Sequence, residues 1–205
     1  MKKGVLFCVG ILSLAAFLVE PVAAATDVDF GIKAGVSMSK LKETSASSTL
    51  TKPIFGVFVT LNLNKSFAVQ PELYYSTFGG RYNYADGLRY DDCLAYIHLP
   101  VLAKARLMQK GKVVPIVFAG PAIDFLLSAK SKEYIGGVYQ GEEDFKGVLK
   151  STNLGLVFGV GAEMMLAKLK VSLDVRYDLG LANIQKVGSF TRKTESLLIL
   201  AGVGF

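Results

Sequence analysis

Hydrophobic and polar residues alternate along most of the chain beyond its first 27 residues. In each alternating stretch one face is apolar, and the other is mainly polar, charged or glycine. Eight such stretches cover residues 28–38, 54–63, 67–78, 95–107, 113–128, 153–164, 169–179 and 196–205. Alternation with a period of two predicts β-strands. The pattern therefore predicts an all-β chain of eight strands.

The connections between these stretches alternate between long and short. The long ones cover residues 39–53, 79–93, 129–150 and 181–194, and the short ones cover 62–65, 108–112 and 167–168. Short periplasmic turns and long extracellular loops are typical of outer-membrane barrels, whose tilted strands have about ten residues. We therefore predict an eight-stranded antiparallel up-and-down transmembrane β-barrel of OmpA/OmpX-type size, with both termini on the periplasmic side.

A soluble, lipocalin-like barrel is the alternative, with its apolar face turned inward. Two features favour the membrane barrel. The polar face carries charges of both signs, which can pair inside a narrow lumen. The last strand also ends on Phe205, and a terminal aromatic residue is a signal that the barrel-assembly machinery recognises in many outer-membrane proteins.

Composition agrees with export and membrane insertion. The chain is 51% hydrophobic and 20% charged, yet its only candidate for a membrane helix lies at the start. Residues 1–25 are typical of a cleaved signal peptide: Lys2 and Lys3 precede an apolar core, and small residues end at Ala25. We expect residues 26–205 to form one barrel domain in the bacterial outer membrane.

Charge and cysteine content limit the partners and cross-links. Residues 1–25 carry a net charge of +1, so cleavage leaves +5 of the +6 of the whole chain. A small basic excess on an exported protein does not indicate nucleic acid. Cys93 is the only cysteine after residue 25, so the sequence predicts no internal disulfide.

The predicted inner face carries a dense set of charged and titratable residues. The set comprises Lys33, Glu72, His98, Lys104, Arg106, Asp124, Glu163, Lys170, Asp174, Arg176 and Asp178. Eight strands leave just enough room for side chains, and buried charges require partners. We expect these residues to pair and fill the lumen. A narrow path for ions or small solutes is the alternative.

An enzymatic function is a third and more distant hypothesis. His98 is the only histidine, and it lies within a strand pattern rather than on a loop. We expect it to form a structural hydrogen bond with a lumen carboxylate, and we predict no catalysis, although a membrane-embedded lipid-modifying enzyme stays an alternative. The sequence predicts no cofactor and no metal site, because the aspartates of residues 86–92 lack the spacing of an EF-hand.

The long loops are rich in lysine and arginine, among them Lys130, Lys132, Arg192 and Lys193. At the outer rim such residues would contact the phosphates of lipopolysaccharide. Loops also commonly carry recognition. We therefore expect outer-membrane lipid and lipopolysaccharide as surroundings, an extracellular ligand or protein as a further partner, and a monomeric barrel.

Six short motifs follow one another along the predicted strands: residues 31–35 (GIKAG), 70–76 (QPELYYS), 96–104 (YIHLPVLAK), 119–122 (AGPA), 158–163 (FGVGAE) and 174–181 (DVRYDLGL). In this order they resemble the PorT-like outer membrane protein β-barrel domain family, loosely called porin-family proteins, of Gram-negative bacteria. The resemblance covers most of residues 30–205 and implies an outer-membrane barrel rather than a particular activity. His98 stands where we expect an acidic or small residue in this family, which leaves its role open.

Overall fold

The computed structural model describes residues 27–42, 47–108, 111–187 and 191–205. The predicted signal peptide lies outside the described residues. Within them, nine strands form one antiparallel sheet. The strands are β1 (Asp27–Lys42), β2 (Leu50–Asn62), β3 (Phe67–Asn83), β4 (Leu88–Arg106), β5 (Val113–Ile135), β6 (Val138–Asp144), β7 (Thr152–Leu166), β8 (Leu169–Gly180) and β9 (Lys193–Gly204). In the described part of the chain, no helix has the length and apolar character needed to cross a membrane.

Eight of the strands close into a barrel. Neighbours in the chain pair antiparallel, β5 pairs with β7, and β9 pairs with β1 to complete the ring. Strand β6 lies outside the ring and pairs with the end of β5. The predicted eight-stranded antiparallel barrel is confirmed.

The stagger of the strands sets the width of the barrel. Following paired residues once around the ring from Gly31 leads back to β1 at Leu41, ten residues further along. In eight strands this stagger corresponds to a tilt of about 40°. The resulting interior has room for side chains but not for an open pore.

The outer face of the barrel is an apolar belt. Its exposed side chains include Val28, Phe30, Ile32, Phe55, Val57, Leu73, Leu154, Phe158, Leu173 and Ile199. Phe205 is 57% exposed, and its ring packs edge-on against Phe30 with centroids 4.9 Å apart. Such a continuous apolar surface requires lipid. The lipocalin-like alternative, with its apolar face inside, is therefore wrong.

Two segments predicted as loops continue largely as strands. Residues 79–93 belong mainly to β3 and β4, and residues 129–150 contain the end of β5 and all of β6. We name the joined upper parts of β3, β4, β5 and β6 the outer wall. Strand β5 extends eight residues beyond Leu127, which raises the wall by about 20 Å at the observed tilt. The wall rises above the apolar belt, so lipid no longer requires apolar side chains on its outer face, and the alternation that predicts strands is lost there.

Candidate functional site

The inward-facing polar residues lie in three layers along the lumen. In the central layer, Lys33 Nζ lies 2.6 Å from Asp174 Oδ2 and 3.2 Å from Glu72 Oε1. Arg176 donates to both oxygens of Glu72, and its Nη2 lies 2.7 Å from Asp174. All four side chains are at most 2% exposed. Two cations balance two carboxylates, so this layer is neutral.

Glycines on neighbouring strands make room for the central layer. A Cβ atom at Gly202 would lie 2.6 Å from Lys33 Cγ, and one at Gly161 would lie 2.6 Å from Asp174 Oδ1. Real Cβ contacts are longer than this, so larger residues would displace the ion pairs. The inward glycines are therefore a requirement of this charged lumen.

A second layer lies near the mouth formed by the short turns. Glu163 accepts hydrogen bonds from Lys104 Nζ at 2.6 Å and from Arg106 Nε at 3.1 Å. Closer to the mouth, Lys170 donates to Asp29. The structure thus brings the predicted Lys104, Arg106 and Glu163 together and pairs Lys170 with an acid outside the predicted set.

A third layer surrounds His98 on the other side of the central layer. His98 is 1% exposed, and its Nδ1 lies 2.6 Å from Asp124 Oδ1 while its Nε2 lies 3.4 Å from Asp178 Oδ2. Asn153 Nδ2 donates to Asp124 Oδ2 at 2.9 Å. The edge of the Phe78 ring packs against the imidazole, with ring centroids 5.6 Å apart. His98 is therefore enclosed and held by carboxylates.

Between His98 and the long-loop rim, an apolar plug fills the lumen. Sequence reasoning missed it. The plug comprises Leu41, Ile54, Tyr74, Phe78, Leu94, Tyr96, Leu126, Ala129, Leu149, Ile184, Leu198 and Leu200. Leu149 and Ile184 belong to the two loops that fold over the opening, and these loops meet in a bridge between Leu149 and Gln185. The signal present in the sequence was the large apolar side chains on the otherwise polar face, such as Tyr96 and Leu198.

A ladder of alternating charges crosses the outside of the outer wall. Arg81, Asp91, Lys132 and Glu142 occupy directly opposed positions on β3, β4, β5 and β6. Arg81 donates to the Asp91 carboxylate from Nε at 2.7 Å and from Nη2 at 2.9 Å. A hydrogen bond from Lys130 lowers the pKa of the Glu142 carboxyl. These contacts join β3 to β4 and β5 to β6.

The four loop residues predicted to contact lipopolysaccharide lie in two places. Lys130 and Lys132 lie on β5, on the outer wall. Arg192 and Lys193 lie where β9 begins, and Lys193 is opposite Lys42 of β1. Arg192 does not point outward with Lys193: its side chain is 14% exposed, and its Nη1 lies 3.9 Å from Asp92 Oδ2. The four residues therefore do not form one cluster.

A closed barrel of eight strands, with an apolar belt outside and ion pairs inside, defines the class of transmembrane β-barrels. The chain belongs to the family described as "outer membrane protein beta-barrel domain", whose model matches residues 22–186. Family and belt together confirm the predicted location in the bacterial outer membrane.

Three solved structures illustrate the similarity to known barrels. Ail, the attachment invasion locus protein of Yersinia pestis, solved with the heparin analogue sucrose octasulfate, is 14% identical over 88% of this chain and 100% of that one, with a TM-score of 0.47. Neisserial surface protein A is 13% identical over 86% and 97%, with a TM-score of 0.49. OprG of Pseudomonas aeruginosa is 13% identical over 86% and 95%, with a TM-score of 0.46. A comparison with curated proteins found no match.

Proposed function

We propose that this protein is a monomeric surface barrel that holds the outer wall above the membrane for interaction, rather than a channel or an enzyme. The observation that carries this proposal is the contrast between its two parts. The lumen is filled by ion pairs and an apolar plug, whereas β3, β4 and β5 continue above the belt and, with β6, form a wall about 20 Å high.

The packing of the lumen opposes solute passage. A solute entering from the short-turn mouth would meet the central layer, where Lys33, Glu72 and Arg176 are at most 2% exposed. Beyond it stands the apolar plug, which offers a hydrated ion no polar ligands. Eight strands are also far fewer than the 16 to 18 of diffusion porins.

Conductance in planar bilayers tests the filled lumen. We expect no stable, reproducible steps from the folded protein, because buried ion pairs occupy the central layer and apolar side chains occupy the plug. The variant with Phe78→Ala and Tyr96→Ala removes two large side chains from the plug. Its conductance, compared with that of the unmodified protein, shows the effect of an opened plug. Reproducible steps from the unmodified protein that vanish in Glu72→Gln would establish a channel instead.

Catalysis is opposed by the enclosure of His98. Its ring contacts Asp124 and Phe78, and it is 1% exposed. A lipid substrate would have to displace the plug or the barrel wall to reach it. His98 is thus better placed to orient carboxylates than to meet a substrate.

Two basic patches above the belt are the proposed contacts with lipopolysaccharide. The first consists of Arg81, Lys130 and Lys132 on the outer wall, and the second of Lys42 and Lys193 on β1 and β9. Acids offset part of each patch: Asp91 and Glu142 pair with the cations of the first, and Glu195 pairs with Lys42 in the second. Each patch keeps a net charge of +1. Cations at that level meet the phosphates of lipid headgroups.

Charge reversal tests this contact. We expect Lys130→Glu with Lys132→Glu, and separately Lys42→Glu with Lys193→Glu, each to weaken lipopolysaccharide binding in maltoside micelles by about tenfold or more, since each removes two charge-assisted contacts. Lys168→Glu, on a short turn at the opposite rim, is the matched control and should bind normally. Unchanged affinity in both double variants would show that the patches do not hold lipopolysaccharide.

Two narrower assignments belong to the same proposal. The six sequence motifs support placing the chain among PorT-like members of the family. Phe205 supports recognition by the barrel-assembly machinery: its ring is 57% exposed, and its backbone N–H donates to the carbonyl of Phe30 at 2.9 Å.

A further inference from the structure

A pocket of about 490 Å³ opens at the short-turn mouth, at the opposite end of the barrel from the outer wall. Its lining residues are Asp27, Asn62, Asn64, Lys65, Arg106, Val114 and Lys170. Three of these are cationic and one, Asp27, is acidic. Because short turns of outer-membrane barrels face the periplasm, the pocket is open to periplasmic solutes and to headgroups of the inner leaflet.

The layer behind the pocket contains one positive charge too many. Lys104 and Arg106 share the single carboxylate of Glu163, so the three residues carry a net charge of +1. The Lys104 side chain is 3% exposed and that of Arg106 is 12% exposed, so Arg106 presents the surplus charge to the pocket. Asn62 links Arg106 to Asp29, whose carboxylate is already paired with Lys170. With Asp27 and Lys65 included, the four cations around the mouth exceed the three acids by one, and an anion in the pocket would balance this charge.

The donors of the pocket are held in position by the neighbouring ion pairs. Arg106 donates from Nε to Glu163 and from Nη2 to Asn62 Oδ1 at 2.8 Å. Within the described residues, its Nη1 makes no hydrogen bond and stays available. Lys170 is anchored by Asp29. A guanidinium fixed on two sides loses little entropy when it binds an oxyanion.

The surrounding rim adds to the positive field. Lys65 is exposed on the turn between β2 and β3, and in the described chain it has no ion-pair partner. Lys112 and Lys168 lie on or beside the other two short turns. Cations arranged around one mouth attract anions and raise their local concentration.

We propose that this pocket binds a phosphate group from the periplasmic side, either as a free phosphate or on the headgroup of an inner-leaflet phospholipid. Arg106 donates to the phosphate from Nη1, the guanidinium nitrogen that its bonds to Glu163 and Asn62 leave available. The ammonium group of Lys65 adds a second positive charge beside the phosphate, and Lys170, paired with Asp29, lies at the edge of the pocket. This site is separate from the lipopolysaccharide patches, which lie at the other rim.

Calorimetric titration of the folded barrel in maltoside micelles with inorganic phosphate tests the proposal. We expect saturable one-site binding that Arg106→Gln weakens by about tenfold or more. Lys65→Gln, on an exposed turn where folding is insensitive, should weaken it about threefold or more. Lys168→Gln lies outside the pocket lining and acts only through the screened field of the rim, so it should weaken binding by about twofold or less.

Native mass spectrometry with added phosphatidylglycerol distinguishes the two sources of phosphate. A lipid adduct that is lost in Arg106→Gln and Lys65→Gln assigns the site to a headgroup. Phosphate binding that survives in phosphatidylglycerol nanodiscs assigns it to free phosphate. The proposal fails if the unmodified protein binds neither probe, or if Lys65→Gln and Arg106→Gln bind both as it does.

Discussion

Arg176 illustrates what a single residue needs in order to lie inside so narrow a barrel. Its guanidinium donates to Glu72 and Asp174 and lies 5.0 Å from the centre of the Phe118 ring. Burial removes water from all of these groups, so the attraction within the layer mainly offsets the cost of desolvation. The loss of one partner is then far more damaging than the pair is stabilising.

Glu72→Gln is expected to destabilise the barrel by about 3–5 kcal/mol, because it leaves Lys33 and Arg176 with only Asp174 between them. Urea unfolding in lipid vesicles, followed by far-ultraviolet circular dichroism, measures the change.

Glu195→Gln provides the matched control for that measurement. Glu195 pairs with Lys42 at 3.2 Å, but the Lys42 side chain is 71% exposed. Loss of a solvated pair should cost about 1 kcal/mol or less. Equal losses in the two variants would mean that the central layer is not desolvated in the membrane.

The sequence predicts the side of the wall on which a charged residue lies, but not the residue with which it pairs. Strand parity is local, and it is sufficient to turn Lys33 and Asp174 inward. Their contact joins residues 141 positions apart and depends on the stagger of the whole ring. The anionic partner of Lys170, Asp29, was missed for the same reason.

At the scale of elements, β5 is both a membrane strand and part of the outer wall. The sequence predicts its membrane part, where lipid on one side imposes alternation. It does not predict the seven residues beyond Ser128, where lipid no longer covers the outer face. The pairing shifts register next to Tyr96 of β4, at the level where the belt ends.

Removal of the upper hairpin should leave the barrel intact. Ser131 and Glu143 are direct partners, so Asn-Gly in place of residues 132–142 would join them through a two-residue turn. We expect the same difference in gel migration between heated and unheated samples as in the full chain. We also expect weaker lipopolysaccharide binding, because Lys132 is removed with the hairpin. A shortened chain that fails to fold would show that the wall supports the barrel rather than the reverse.

At the scale of the whole molecule, the barrel separates three environments. The face of the strand on which a side chain lies and its position along the barrel axis determine which environment it meets. Lipid surrounds the belt, the lumen is sealed by ion pairs and apolar residues, and the outer wall stands in water. The closed ring was predictable because every strand obeys the same alternation. The plug was not, because it depends on loops folding back over the opening, as Leu149 and Ile184 do.

Export should remove the first 25 residues. Because small residues end at Ala25 after an apolar core, we expect the protein isolated from outer membranes to begin at Thr26. Intact mass and N-terminal sequencing measure this directly. A membrane-inserted chain that keeps Met1 or an uncleaved apolar segment would contradict the predicted domain boundary.

Among the described residues, the outer wall rises over the neighbouring strands β3, β4 and β5, with β6 beside β5, so the described rim is higher on this side of the barrel. The described part of the molecule is therefore asymmetric about the membrane normal, with the outer wall on one side of the barrel. A partner that docks on the wall would approach from that side of the barrel. The orientation of the bound partner would change whenever the barrel rotates about the membrane normal. A neighbouring membrane protein that prevents this rotation would also fix the direction in which the wall faces.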